Sequence, residues 1–374
     1  MKSSHRVDDM AETKARALDR AVAAVIDDFV NVPWEGFGAF LRVQACLIGL
    51  VTLANVSKHL DEDPYPGLLE AVDRISRLAR SFDSVFPHLR SAGELRQDTE
   101  IENDRTAELF QTAWTAYDDE TYDHSLILIS DRLRQSGFDE TYFTNKVCFD
   151  GGCGTGRLSI AMAQAGASRV VAADIGGESL AYFTRVRERY GLHQIEIVEQ
   201  DVTDLGHFGS DSFDFVASHG VLHHTHNPDR GIREHFRITR PGGVLWLYLY
   251  GAEGIYWPVY DRLKALVASI EPKTIREILT RFRIRRGLIY TFLDNLLAPR
   301  VYYRRDTVLE LLRPFATFEV EDMRGSSPID DTAMLLGTKW GREVFGPDGE
   351  IRLIIAKRSP HRDPRSRVEG VATT

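Results

Sequence analysis

Cysteine is scarce in this chain of 374 residues. There are three, Cys46, Cys148 and Cys153, and no CxxC pair. That excludes a disulfide-built scaffold and leads us to expect a reducing, cytoplasmic setting. A surplus of positive charge is missing too. Lys and Arg number 46 against 55 Asp and Glu, for a formal net charge of −9. A broadly basic nucleic-acid binder is therefore disfavoured, although a local basic groove stays open. Long hydrophobic runs are lacking. The most apolar stretch, Ala45 to Val56, is broken by Thr52 and Asn55 and follows Arg42 and Gln44. It is expected to be too short for a membrane span and to form a buried helix. The polar start, MKSSHRVDDMAETK, does not read as a secretory leader. Internal repeats and low-complexity tracts are absent, and 43% hydrophobic residues suffice for a folded core.

The residues that are present divide the chain in two. Helical periodicity runs through 13–30, 37–59 and 68–83, with Pro33, Pro64 and Pro66 as punctuation. This predicts a helical N-terminal domain or cap over 1–93, either a packing or dimerisation module or a wall over a site farther along. Trp34 and Phe37 to Phe40 are candidates for such a wall. Residues 124–136 suggest one more amphipathic helix. From Lys146 onward, short runs rich in Val, Ile and Phe (VCFDGG, RVVAAD, IEIVEQ, FDFVAS, VLWLYLY) alternate with helical stretches at 157–165, 177–190 and 228–239. That alternation predicts an α/β fold with a doubly wound, mostly parallel sheet.

The segment Val147-Cys-Phe-Asp-Gly-Gly-Cys-Gly-Thr-Gly156 runs a strand into glycines and then into a helix. Gly152, Gly154 and Gly156 permit a tight turn and close approach of backbone to a ligand. The spacing is GxGxG. A dinucleotide GxGxxG would need glycine at 157, where Arg157 stands, and no GxxxxGK[ST] phosphate loop occurs. Asp174 ends the next strand, placed to accept the hydroxyl protons of a ribose or to cap the helix beginning near Gly176. Asp201 follows the third strand, where it suits the amino group of an adenine with Val202 packed beside the ring. It also fits an ordinary turn.

These pieces resemble the class I S-adenosylmethionine-dependent methyltransferases. The resemblance rests on FDGGCGTG (149–156), VVAADI, EQDVTD (199–204), DSFDFVASHGVLHHTHNPDR (211–230) and ITRPGGVLWL (238–247), over roughly residues 120–255. It implies a seven-stranded Rossmann-like sheet, with TFEVEDMR (317–324) and IRLIIAKR (351–358) as strands six and seven and the seventh antiparallel. The catalytic domain would then span 94–358, with a helical insertion at 251–308 after strand five and a loose tail at 359–374. The resemblance further implies S-adenosyl-L-methionine as cofactor. Asp150 and Gly152 would lie by its methionine part, Cys153, Gly154 and Gly156 in the turn, Asp174 and Ile175 at the ribose, Asp201 and Val202 at the adenine, and His219 and Gly220 beside it. Pro241, Gly242 and Gly243 would turn the chain before strand five. Gly151 departs from the family, which has a bulkier apolar residue there, and is expected to loosen local packing.

Four histidines crowd 219–226, but no HExxH and no interleaved Cys or carboxylate accompanies them, so no metal is expected. His223 or His224 is the candidate proton acceptor, undivided by sequence. Substrate contact is expected from the insertion, through Tyr256, Trp257 and Tyr290, and from Tyr302, Tyr303 and Arg304 before a helix at 306–313 capped by Asp306. Arg281, Arg283, Arg285 and Arg286 are either an anion-attracting cluster or a solvated helix face. The expected reaction is methylation of an O or N atom of a small or medium organic substrate, anionic in one reading. The alternatives are an RNA or protein methyltransferase and a non-catalytic cofactor-binding scaffold. Homodimerisation through residues 1–90 or the insertion stays open.

Overall fold

The computed structural model describes residues 2–86, 109–110 and 119–358. The expected tail at 359–374 lies outside them, as does the proposed boundary near residue 93.

Three helices open the chain: α1 (Lys2–Asp28), α2 (Gly36–Val56) and α3 (Pro64–Val85). Pro64 sits in the first turn of α3, where its missing N–H is no loss, and the Asp63 side chain caps it by accepting from Tyr65 N–H. Sequence periodicity had placed that start four residues late. Helix α2 is 21 residues long and apolar enough by length and composition to cross a membrane. The expectation that this stretch is too short therefore fails on length. Its burial is nonetheless internal, since 11 of its residues are buried, Arg42 among them.

Next come α4 (Asp119–Gln135) and the single turn α5 (Glu140–Phe143), then β1 (Val147–Gly151), α6 (Arg157–Gln164), β2 (Arg169–Asp174), α7 (Gly177–Tyr190), β3 (Ile195–Glu199) and β4 (Phe213–His219). Helix α8 (Pro228–Ile238) leads into β5 (Thr239–Leu249). Strand β5 begins earlier than expected. Its first pairing, Phe213 with Thr239, precedes an irregularity that absorbs Pro241 and Gly242 before regular pairing resumes at Val244. The sheet order is β3-β2-β1-β4-β5-β7-β6, with β6 (Phe318–Asp322) at the edge. Strand β7 (Ile351–Lys357) runs antiparallel to both β5 and β6, and every other pairing is parallel.

Both faces of this sheet are covered. Cys148, Val170, Phe215 and Trp246 belong to one buried cluster. Their strand neighbours Phe149, Val171, Val216 and Leu245 belong to the cluster on the other face. Alternation of side chains along each strand produces this division, and it explains why the strands read as nearly continuous apolar runs.

The insertion is helical, as expected: α9 (Tyr256–Lys264), α10 (Pro272–Arg281) and α11 (Arg286–Leu297). It shares a third hydrophobic core with the N-terminal helices, with Val25, Cys46 and Leu53 in one cluster with Tyr260, Leu266 and Phe292. Helix α2 approaches α9 so closely that a Cβ at Gly49 would lie 2.3 Å from Leu263 Cδ1. Trp34 and Phe40 pack against this core, while Phe37 is half-exposed. Helix α12 (Arg305–Leu312) follows, and its cap is Arg304; Asp306 sits in the first turn and favours that end by charge alone. Between β6 and β7 the chain adds α13 (Thr332–Gly337) and α14 (Gly341–Phe345).

Candidate active site

The strand–glycine–helix turn sits at the carboxyl end of β1, beside the crevice where sheet order reverses between β1 and β4, the usual ligand position in an open α/β sheet. Gly152, Gly154 and Gly156 have φ of 79°, 51° and 82°, a region that favours glycine. Space demands glycine as well. A Cβ at Gly156 would lie 2.0 Å from the Phe183 ring, and one at Gly152 would lie 2.3 Å from Val221. Gly151 is explained in the same way: its Cβ would lie 2.0 Å from His235 Nε2. The expected loosening is therefore absent, because a buried imidazole fills the volume of the missing side chain.

A cavity of about 410 Å3 opens over this turn. Its first end is lined by Gly152, Cys153, Gly154, Asp174, Ile175, Asp201, Val202, His219 and Gly220, all expected from sequence. Asp174 fixes the turn from the neighbouring strand. One carboxylate oxygen accepts from Gly154 N–H and the other from Gly176 N–H, both at 2.8 Å. The helix-capping reading does not hold, because the N-cap of α7 is Gly176 and no side chain caps it; the Asp174 carboxylate instead braces the turn and lines the cavity. Burial raises its pKa and the backbone donors pull it back. Asp201 Oδ1 accepts from the Thr203 N–H and hydroxyl at 2.8 Å.

Two residues expected at the cofactor stand behind the lining. Asp150 is buried under the turn and accepts from the Ser159 hydroxyl at 2.6 Å, with its carboxyl pushed up to about 6 by burial. Gly156 is the N-cap of α6 and packs on Phe183. Both shape the turn from beneath.

The second end of the cavity is a chamber walled by Phe110, Tyr248, Tyr250, Tyr256, Trp257 and Tyr290. Tyr250 and Trp257 stack at 4.0 Å. Tyr256, Trp257 and Tyr290, the insertion residues named from sequence, all line it. Tyr302, Tyr303 and Arg304 do not line the cavity. Their polar ends are bound elsewhere: Tyr302 to Asp261, Tyr303 to Asp229, and Arg304 to Glu253 and Asp348. Arg281, Arg283, Arg285 and Arg286 are exposed and also off the lining.

The structure separates the two histidines. His224 lines the chamber. His223 does not; its ring is wholly buried 3.9 Å from that of Tyr250, and neither of its nitrogens has a hydrogen-bond partner. Burial holds both imidazoles far below the usual range, His224 at about 3. His219 stacks on Trp246 at 4.6 Å and is likewise held neutral by burial and by Arg352 and Arg132.

Sequence reasoning missed Arg132, Tyr248, Tyr250, Asp294, Glu350 and Arg352, all on the lining. Three carried a readable signal. Tyr248 and Tyr250 extend the fifth strand at its ligand-facing end, and Asp294 is an acid inside an otherwise apolar helical run, TFLDNLL. Glu350 and Arg352 carried none, since only folding brings β7 to the chamber. Trp257 Nε1–H donates to Glu350 at 2.8 Å, and the Arg352 guanidinium lies 3.8 Å over the Tyr248 ring. Among the described residues, no group of three or more His, Cys, Asp or Glu is placed to hold a metal ion.

Residues 149–247 match a family described as a methyltransferase domain. A ubiquinone biosynthesis O-methyltransferase of Xanthomonas oryzae pv. oryzae is 38% identical over 101 residues, which is 26% of this chain and 40% of that protein. A demethylmenaquinone methyltransferase of Clavibacter sepedonicus is 41% identical over 90 residues, 24% of this chain and 35% of that protein. The chain thus spans less than half the length of these curated relatives. Among solved structures, an S-adenosyl-L-methionine-dependent methyltransferase fold of Methanococcus maripaludis is 18% identical, with a TM-score of 0.38 over 72% of this chain and 100% of that one.

Proposed function

We propose that this member of the class I S-adenosylmethionine-dependent methyltransferase family methylates an O or N atom of a small or medium organic molecule. One observation carries the reading. A single cavity joins the glycine turn, with Asp174 and Asp201, to an aromatic chamber containing His224. The residues fit the cofactor. Asp174 would offer carboxylate oxygens to ribose hydroxyls and Asp201 and Val202 would flank an adenine, since all three line the cavity beside the glycine turn. S-adenosyl-L-methionine, when bound, supplies an electrophilic methyl group on a sulfonium. The chain supplies alignment of the acceptor against it and exclusion of water by the aromatic walls. The quinone-pathway names of the relatives in Xanthomonas and Clavibacter favour a small-molecule acceptor over RNA or protein.

The test is incubation with methyl-labelled cofactor and separate pools of metabolites, RNA and protein. Label in the metabolite pool is expected, and label in macromolecules alone would sink the reading. Asp174→Ala should weaken S-adenosylhomocysteine binding by calorimetry roughly 10- to 100-fold, the value of hydrogen bonds to a charged acceptor. Binding by the unaltered protein with no label in any pool would favour the cofactor-binding scaffold.

A further inference from the structure

The arginines at 281–286, read from sequence as a possible anion-attracting cluster, are off the cavity lining, but two others face its aromatic end. Arg132 comes from α4 and Arg352 from β7. Strand β7 pairs with β5 so that Arg352 stands opposite Tyr248, with its guanidinium 3.8 Å over that ring.

The counter-charge at this wall is thin. Asp330 Oδ1 lies 2.8 Å from Arg132 and 3.6 Å from Arg352. The second distance is beyond hydrogen-bond reach. Arg352 is 5% exposed, and its Nε–H has no hydrogen-bond partner among the described residues. Glu350 is the other acid here. Burial pushes it up to about 7 and one of its oxygens is taken by Trp257, so it carries only part of a charge near neutral pH. Across the chamber, Asp294 has Arg300 as its cation. Two guanidinium groups therefore share the Asp330 carboxylate at a buried wall. A buried cation short of an anion is costly, and a ligand carboxylate would supply the missing charge and accept from the free Nε–H.

We infer that Arg352, with Arg132 beside it, holds a carboxylate of the methyl acceptor, so that the substrate is an organic acid with a flat, apolar body. This rests on the methyl-transfer reading above. A single missing charge favours a carboxylate over a phosphate dianion, which Asp330 and Glu350 would repel. The cofactor carries a carboxylate of its own, but sheet order sets Arg352 on the acceptor side. Strand β7 stands three strand spacings from β1, about 14 Å from the strand that bears the glycine turn. Arg157, in the first turn of α6, is the arginine beside that turn. The stacked rings of Tyr250 and Trp257 offer a flat apolar surface to the rest of the acid. Arg352 thus selects the substrate at a distance from the reacting atoms.

Benzoate and benzamide differ at this one group and serve as probes, titrated by calorimetry into the full-length protein with and without S-adenosylhomocysteine. Benzoate should bind at least ~10-fold more tightly than benzamide. Arg352→Gln should abolish that preference, and Arg352→Lys, which keeps the charge but loses the fork, should recover part of it. S-adenosylhomocysteine should bind Arg352→Gln within about 2-fold of the parent, which also shows the variant folded. Equal binding of the two probes, no binding of benzoate, or a preference retained in Arg352→Gln overturns the acid site. Weaker S-adenosylhomocysteine binding in Arg352→Gln, with 5′-methylthioadenosine binding unchanged, assigns the arginine to the cofactor's carboxylate and overturns it too. These readouts need no turnover, so the absence of label from every pool counts against the methyl-transfer reading alone. In the labelled-cofactor assay, aromatic acids should be methylated in preference to their amides. Arg352→Gln should then raise KM for the acid at least ~10-fold and leave kcat within about 3-fold. A fall in kcat with KM unchanged would count against substrate binding by Arg352.

Discussion

Glu350 shows how far a single side chain here is set by its surroundings. It is 3% exposed, takes the Trp257 indole N–H, and has a second oxygen without a full hydrogen bond. Burial pushes its carboxyl up to about 7, against the pull of Arg352 and Trp257. The folded state thus favours the protonated form more than the unfolded chain does. The stability this supplies is fully present below the ordinary glutamate value near 4.5, and it is lost as pH rises through about 7. Glu350→Gln removes the titration and keeps an oxygen for Trp257. Urea unfolding should find the variant more stable than the parent at about pH 8, by ~1–3 kcal/mol, and nearly equal at about pH 5. A constant difference at both values would show that the carboxyl does not titrate in the folded protein. Nothing in the local sequence FGPDGEIR marks this acid as buried, because its neighbours in space come from β5 and α9.

At the scale of elements, the N-terminal helices and the insertion are tied by one buried cation. Arg42, in the middle of α2, donates to the carbonyls of Phe29 and Val32 at 2.8 and 2.6 Å, just past the end of α1, and to Pro33 at 3.2 Å. It also reaches Leu266 of the insertion at 3.2 Å and lies 3.6 Å over the Trp34 ring. A cation is favourable at the carboxyl end of a helix, where carbonyls lack intrahelical donors. Burial still lowers its pKa to about 10. Arg42→Met keeps the apolar stem but leaves these carbonyls without a donor. Chemical denaturation should report a loss of ~3–5 kcal/mol, with faster proteolysis in the 29–35 turn. A loss under ~1 kcal/mol would mean that water replaces the guanidinium. The periodicity of α2 was legible from its apolar residues, yet Arg42 read only as a polar break before the run. The partners that make it a core residue lie far along the chain.

For the whole molecule, the main consequence is that length is spent in one shared core. Residues 15–86 and the insertion bury their apolar faces against each other, and that layer carries the chamber walls Tyr256, Trp257, Tyr290 and Asp294. Removing residues 1–86 should expose the faces of α9–α11. Light scattering should then show association of the shortened protein, and the chamber should lose its order. A monodisperse product that unfolds in one cooperative step would show that the insertion stands without the helices. A separable N-terminal unit was a natural expectation from sequence, because a change from 3.6-residue to 2-residue periodicity looks like a boundary. Periodicity reports which face is buried and is silent on what covers it.

The sequence by itself determined the α/β sheet, its first five strands, the GxGxG turn and the acids at the ends of β2 and β3, while strands six and seven came from the family resemblance. Each depends on neighbours within a few residues, on alternation along one strand, or on a left-handed backbone that only glycine adopts readily. Tertiary structure alone decided the acceptor end of the cavity. It set His224 against Asp294, turned His223 inward, carried Tyr302 to Arg304 off the lining and brought Glu350 and Arg352 onto it. Those outcomes depend on how the insertion and β7 pack against the sheet, and side chains that meet only through packing leave no spacing in the chain to be read.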